Sequence, residues 1–242
     1  MSKVPEINMK KRLKTNGLVM SLATILLAVF PAVFFRKNIT GFSDNIAEVF
    51  GIVFILLGQL IRVSARGYKS ENSKNGNALI SGGPYSLVRN PMYLGIFLIG
   101  LGVVFMLFQW WVVAIFIAFF IIRYILLIYQ EEKKLKSLFP ESYPVYCKTV
   151  SHRIFPSVNA LLERDICEYI PLKLGWIKKE IGSIIAVLSL VLLIEFWEEI
   201  KRGVMVEYLK ELIGILVVII LFTALVGYLS RCTVNKHGTS QE

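Results

Sequence analysis

Six apolar runs organise the chain, near residues 17–35, 46–63, 92–108, 111–129, 181–197 and 211–230. Each approaches the roughly 20 residues that a helix needs to cross the hydrocarbon core of a bilayer. The polar stretches between them are rich in Lys, Arg, Gly and Pro. This pattern predicts an all-α, polytopic membrane protein with about six transmembrane helices. Runs one and two are joined by a short turn-forming segment, 36–45, containing Asn38, Gly41 and Asp44. Runs three and four meet at Gln109-Trp110-Trp111, which predicts a tight antiparallel hairpin with its tryptophans at the membrane–water interface. Such a hairpin returns the chain to the face it left. Asn90 and Glu131, at its two ends, are therefore expected near one membrane surface.

Two longer polar segments are expected on that surface. The first is 64–91, whose Gly82-Gly83-Pro84 marks a defined turn and whose 70–76 is polar throughout. The second is 133–176, punctuated by Pro140, Pro144, Pro156 and Pro171. A basic arm, 1–16, precedes the first run. That run is long for a signal sequence and lacks a small-residue cleavage site, so it reads as a retained helix. Runs five and six are separated by an acidic segment, 195–211.

With 55% hydrophobic residues and a mean hydropathy of +0.63, the composition agrees with a membrane class. The net charge of +10 raises nucleic acid as a partner, but the charges are distributed as a topology signal. Of the 27 Lys and Arg residues, Arg36, Lys37, Lys201, Arg202 and Lys210 fall on one side, and Arg123 lies inside the fourth run. All the others share the opposite side, the arrangement of the positive-inside rule with both termini cytoplasmic. No nucleic-acid role is expected. Cys147, Cys167 and Cys232 are odd in number and widely spaced, on the expected cytoplasmic side or at its edge, so reduced thiols are expected. With two histidines and no CxxC pairing, no metal site is expected.

Three groups of residues are candidates for chemistry. Asn90 and Pro91 stand where a helix N-cap and first turn belong, and a helix start beside Arg89 also suits a carboxylate or phosphate. Glu131 and Glu132 at a membrane boundary must be solvated, paired or used. Lys133, Lys134 and Lys136 could neutralise them, or one carboxylate could hold an ammonium or balance another cation. Tyr124, Ile128 and Glu131 share one helical stripe. Arg123, about two turns inside the fourth run, either faces a polar cavity as an anchor for an acidic group or snorkels towards the headgroups. Tyr143 and Tyr146 suit either packing on a purine ring or seating the segment at headgroup level.

Together these pieces resemble the integral membrane methyltransferase superfamily that contains isoprenylcysteine carboxyl methyltransferases and phospholipid N-methyltransferases. Gly83, Pro84, Tyr85, Arg89, Asn90, Pro91, Tyr93 and Gly95 match its loop pattern. Glu131, Glu132, Leu135, Phe139, Tyr143, Tyr146 and Pro156 match its second. Asn90 stands where many members carry His, and Pro140 replaces a usual Gly. The resemblance covers about 46–156 and implies three divisions: an N-terminal arm and first helix (1–45), a methyltransferase core (46–156) and a C-terminal extension with two helices (157–242).

It also implies S-adenosylmethionine as cofactor, bound in a cytoplasmic segment, with a lipophilic small molecule or lipidated substrate as acceptor and membrane lipids as surroundings. Transferred by position, Tyr85, Arg89, Asn90, Pro91, Tyr93 and Gly95 belong to the cofactor site with Tyr143 and Tyr146. Glu131 and Glu132 are implied both as cofactor ligands and, with Arg123, as catalytic residues. Two other readings stay open. One is an NADPH-dependent reductase related to the sterol reductases, although Asn90, Met92 and Ile96 replace the His, Asn and Glu of that loop. The other is a non-catalytic membrane scaffold.

Overall fold

The computed structural model describes residues 31–35, 42–73, 78–156, 165–202 and 205–238, and among these it contains helices and turns but no strand. Helices are what a bilayer demands, because each backbone N–H and C=O must find its partner within its own segment. The chain forms two units, 1–39 and 40–242. In the first, α1 (Pro31–Phe34) closes the first apolar run. The rest of that run, the basic arm and the turn residues Asn38 and Gly41 lie outside the described residues.

The second unit begins with α2 (Phe42–Asn72), followed by the single turn α3 (Pro84–Leu87), then α4 (Pro91–Leu107) and α5 (Trp110–Leu138). After α6 (Ser142–Thr149) and α7 (Ile166–Tyr169) come two long helices, α8 (Leu174–Arg202) and α9 (Met205–Gly238). Among the described residues, three stretches are long and apolar enough to span a membrane: Ala47–Asn72, Trp110–Leu138 and Ile213–Thr233. α4 is as apolar but only 17 residues long, about 25 Å at 1.5 Å per residue. The fifth run lies within α8. This is an all-α membrane protein.

Two helices outrun their apolar segments. The loop expected from residue 64 is helical to Asn72, because Val63, Ser64, Ala65 and Gly67 bury one face while Arg66, Lys69 and Ser70 take the other. α5 likewise continues past residue 129 to Leu138.

α2 and α4 pack backbone to backbone. A Cβ on Gly58 would lie 2.6 Å from the Gly95 carbonyl oxygen, and one on Gly95 would lie 2.8 Å from that of Gly58. Seven residues away on each helix, Gly51 and Gly102 repeat the contact. Small residues allow this approach, and in lipid, close packing is a main source of helix association. α5 joins α4 through aromatic rings. Phe97 lies 4.7 Å from Phe120 and Tyr93 lies 5.1 Å from Tyr124, ring centre to ring centre. The outer face of α5, with Ile115, Phe119, Ile122 and Leu126, is exposed as a lipid-facing surface should be.

α8 and α9 also pack on α2, and α8 reaches α4 at Met106. Ile52, Ile55 and Leu56 meet Val191 and Ile215, while Leu60 and Val63 meet Leu172, Trp176 and Leu229. Near the end of α2 the contact turns polar. Arg66 pairs with Glu180 at 2.7 Å, Arg62 Nη1 donates to Ser183 Oγ at 3.0 Å, and Ser64 Oγ donates to the Pro171 carbonyl at 2.6 Å. One expectation is corrected here: Cys167 and Cys232 form a disulfide joining α7 to α9, leaving Cys147 free. Their separation of 65 residues hid the pairing, which the fold creates by bringing the Cα atoms to 6.2 Å.

Gln59 is 1% exposed, and neither of its amide atoms has a hydrogen-bond partner. An unsatisfied buried amide costs about 1–3 kcal/mol. Gln59→Met, which keeps the side-chain length and removes the amide, is therefore expected to raise the thermal midpoint of the purified protein by a few degrees; an unchanged or lower midpoint contradicts the assignment.

Candidate functional site

The loop before α4 is shaped by one backbone requirement. Gly83 has φ of +57°, a region that favours glycine, and a Cβ there would lie 2.8 Å from the Tyr68 ring. Pro84 then starts α3, and Ser86 Oγ donates to the Gly83 carbonyl at 2.7 Å. Beyond α3 the chain is pinned to the return segment after α6. The Arg89 and Asn90 amides donate to the carbonyls of His152 and Arg153, each at 2.9 Å.

Asn90 occupies the N-cap position of α4 with Pro91 at N1, as the sequence predicts, but its side chain does not cap the helix. Its Nδ2 donates instead to the Arg153 carbonyl at 3.2 Å. Two bonds from one residue to one carbonyl fix the helix start to the return segment.

The adjacent glutamates face different partners. Glu131 Oε2 accepts the Tyr93 hydroxyl at 2.8 Å. Glu132 turns to the basic side, 3.1 Å from Arg89 Nη1 and 3.4 Å from Arg153 Nη2. The Arg89 and Glu132 side chains are only 11% and 13% exposed. Their approach is a charge contact without hydrogen-bond alignment: Glu132 Oε1 and Arg89 Nε each lack a hydrogen bond. The guanidinium also donates to Cys147 Sγ at 3.2 Å and to the Ser151 carbonyl at 3.1 Å. Burial works against the Arg89 charge, but Glu132 and then Cys147 outweigh it and move its pKa upward.

Between the loop, α2 and α5 lies a cavity of about 360 Å³, within the size range of small-molecule sites. Of the residues expected in the site, it is lined by Tyr85, Arg89, Asn90, Pro91, Tyr93, Glu131 and Tyr146. Tyr146 Oη donates to the Tyr85 carbonyl at 2.7 Å, closing one wall. Burial pushes both phenols above their ordinary range, helped by Glu131 at Tyr85 and by Tyr143 at Tyr146. Both therefore remain neutral hydrogen-bond donors near neutral pH.

Four expected residues lie outside the cavity lining. Gly95 faces Gly58 and Arg62 on α2. Glu132 braces Arg89. Tyr143 is buried with Tyr146 and Val150, its pKa raised by burial, then by a hydrogen bond with Cys147 and by the Glu132 charge. Arg123 is exposed on α5. The sequence reading missed Lys69, Ser73 and Lys134 in the lining, as well as the apolar wall of Leu79, Ile80 and Leu138. Lys69 and Ser73 were hidden by the expectation of a loop after residue 63. The polar character of 64–73 in a chain otherwise so apolar was the available signal.

Residues 46–142 match the family model described as phospholipid methyltransferase. This stretch belongs to the integral membrane methyltransferases. No curated protein and no solved structure gives a match. The methyltransferase segment runs from α2 to the start of α6, so it contains the glycine crossing, the loop and both glutamates. The resemblance is thus to phospholipid methyltransferases and is carried by 46–142 alone.

The glutamates should separate experimentally. Glu132→Ala leaves Arg89 largely buried without its nearest carboxylate, at a cost of about 3 kcal/mol, and should lower the thermal midpoint. Glu131→Ala removes a half-buried carboxylate that faces the cavity, and should leave the midpoint within a degree or two. Equal losses in the two variants would contradict the division of roles.

Proposed function

We propose that this membrane protein is a methyltransferase that uses S-adenosylmethionine, held in the cavity between the 78–93 loop, the end of α2 and the 131–146 segment, and methylates a lipid or lipid-like acceptor. The observation that carries the reading is the Tyr93–Glu131 hydrogen bond inside a cavity that the matched segment lines together with Tyr146. The donor set suits such a cofactor. A half-buried carboxylate suits an ammonium or sulfonium, neutral tyrosines supply hydrogen bonds, and Leu79, Leu135 and Phe139 supply an apolar wall for a nucleoside ring. When bound, the cofactor supplies a methyl carbon already activated by its sulfonium.

The protein's part is positioning and exclusion of water. Tyr93 fixes the direction of the Glu131 carboxylate. Glu132, Arg89 and the backbone bonds to 152–153 hold the loop that carries Tyr93. Tyr143 acts through Cys147 and Arg89 rather than by touching the cofactor, and Gly95 acts by setting helix contact. The aromatic column of Tyr93, Tyr124, Phe120 and Phe97 runs from the cavity along the α4–α5 seam, the side on which an apolar acceptor approaches from the bilayer. An acceptor carboxylate or thiolate attacks directly. An amine must first lose its proton, and Glu131 is the cavity carboxylate placed to receive it. In this reading 46–156 is the catalytic core, the cavity opens to the cytoplasm and both termini lie there.

Equilibrium binding of labelled S-adenosylmethionine and of NADPH to the purified protein tests the cofactor, and transfer of label to native lipid extracts identifies the acceptor. S-adenosylmethionine should bind and be displaced by S-adenosylhomocysteine, and Glu131→Ala should weaken it about tenfold or more, the scale of a charge-assisted hydrogen bond. NADPH binding without S-adenosylmethionine binding would instead support the reductase. Binding of neither would support a scaffold.

A further inference from the structure

The cavity holds more charge than the motif residues account for. Lys69, from the last turn of α2, and Lys134, one turn beyond Glu131 on α5, both line it. Both are exposed where Glu131 is half-buried, so the basic groups lie at the mouth and the carboxylate lies further in. Neither lysine forms an ion pair among the described residues. Arg89, the other cation in the lining, is committed to Glu132, Cys147 and Ser151. A ligand with a cation inward and an anion outward matches this order of charges, and its anion must be met at the rim.

The last turn of α2 is held from outside the matched segment. Glu71 Oε2 lies 2.6 Å from Lys173 Nζ, and Glu71 Oε1 accepts Trp176 Nε1 at 2.7 Å. The Trp176 indole lies directly against Gly67, where any Cβ would overlap it. Lys69 sits between these two contacts, so the C-terminal extension sets where its helix turn points.

We propose that Lys69 and Lys134 form an anion subsite for the α-carboxylate of the cofactor, with Trp176 and Glu71 as positioning residues that hold Lys69 in place. This rests on the S-adenosylmethionine reading. It gives the extension a part in binding, although it lies beyond the family match.

The test compares dissociation constants for S-adenosylmethionine and decarboxylated S-adenosylmethionine, which differ by the carboxylate alone. Both are measured on the full-length protein in lipid nanodiscs. The wild type should bind the carboxylated form at least about tenfold more tightly. Lys69→Met combined with Lys134→Met should reduce that ratio to about two, with less than a twofold change for the decarboxylated ligand. Trp176→Phe, which keeps a smaller aromatic ring and loses the N–H to Glu71, should reduce the ratio in part; full retention would overturn the positioning role. A double lysine variant that keeps the ratio, or that loses both ligands equally, would overturn the subsite. A wild type that binds both ligands equally well would overturn the subsite alone. One that binds neither would overturn the cofactor reading and the subsite with it.

Discussion

At Gly51–Gly102 and Gly58–Gly95 the backbones of α2 and α4 meet with no side chain between them. Lipid tails give helices no hydrophobic reason to associate, so this close contact is the natural source of cohesion in the unit. It also sets the site. With Gly58 against Gly95, the start of α4 lies beside the last turns of α2, where Tyr68 supports the Gly83 turn and Lys69 reaches the cavity. A larger residue at Gly58 or Gly95 would force the helices apart and move the cavity wall, although neither position lines the cavity.

Much of the architecture could be read from the sequence. The spacing of apolar runs predicted membrane helices, and the short turn at 109–111 predicted that Asn90 and Glu131 would return to one face. Both groups now line or support one cavity. The parts that could not be read depend on partners distant in sequence. Glu131 and Glu132 are chemically identical neighbours. Only the positions of Tyr93 and Arg89, about forty residues earlier, tell them apart. The helical continuation of α2 to Asn72 depends on a face covered by Leu172 and Trp176, more than a hundred residues later. The Cys167–Cys232 bridge is of the same kind. Asn90 is the instructive intermediate case: its position at the helix start was legible, but the bond its side chain makes was not, because the acceptor is a carbonyl at residue 153.

The polar network around the site divides into two layers. Tyr93 and Glu131 face the cavity. Arg89, which also lines the cavity, joins Glu132, Cys147, Arg153 and Tyr143 behind them in tying the loop to α5 and to the return segment after α6. That second layer extends beyond residue 142, where the family match ends, and the extension adds a third set of contacts on α2. The matched segment thus carries Tyr93 and Glu131, while later parts of the chain hold the loop and α2 in register.

The central claim is that the loop and the acidic end of α5 form the wall of a single S-adenosylmethionine site. Ultraviolet cross-linking of methyl-labelled S-adenosylmethionine to the purified protein, followed by peptide mapping, tests it most directly. The account predicts label within 85–93 or 131–146, competed away by S-adenosylhomocysteine. Competable label found only within 174–238 would contradict it.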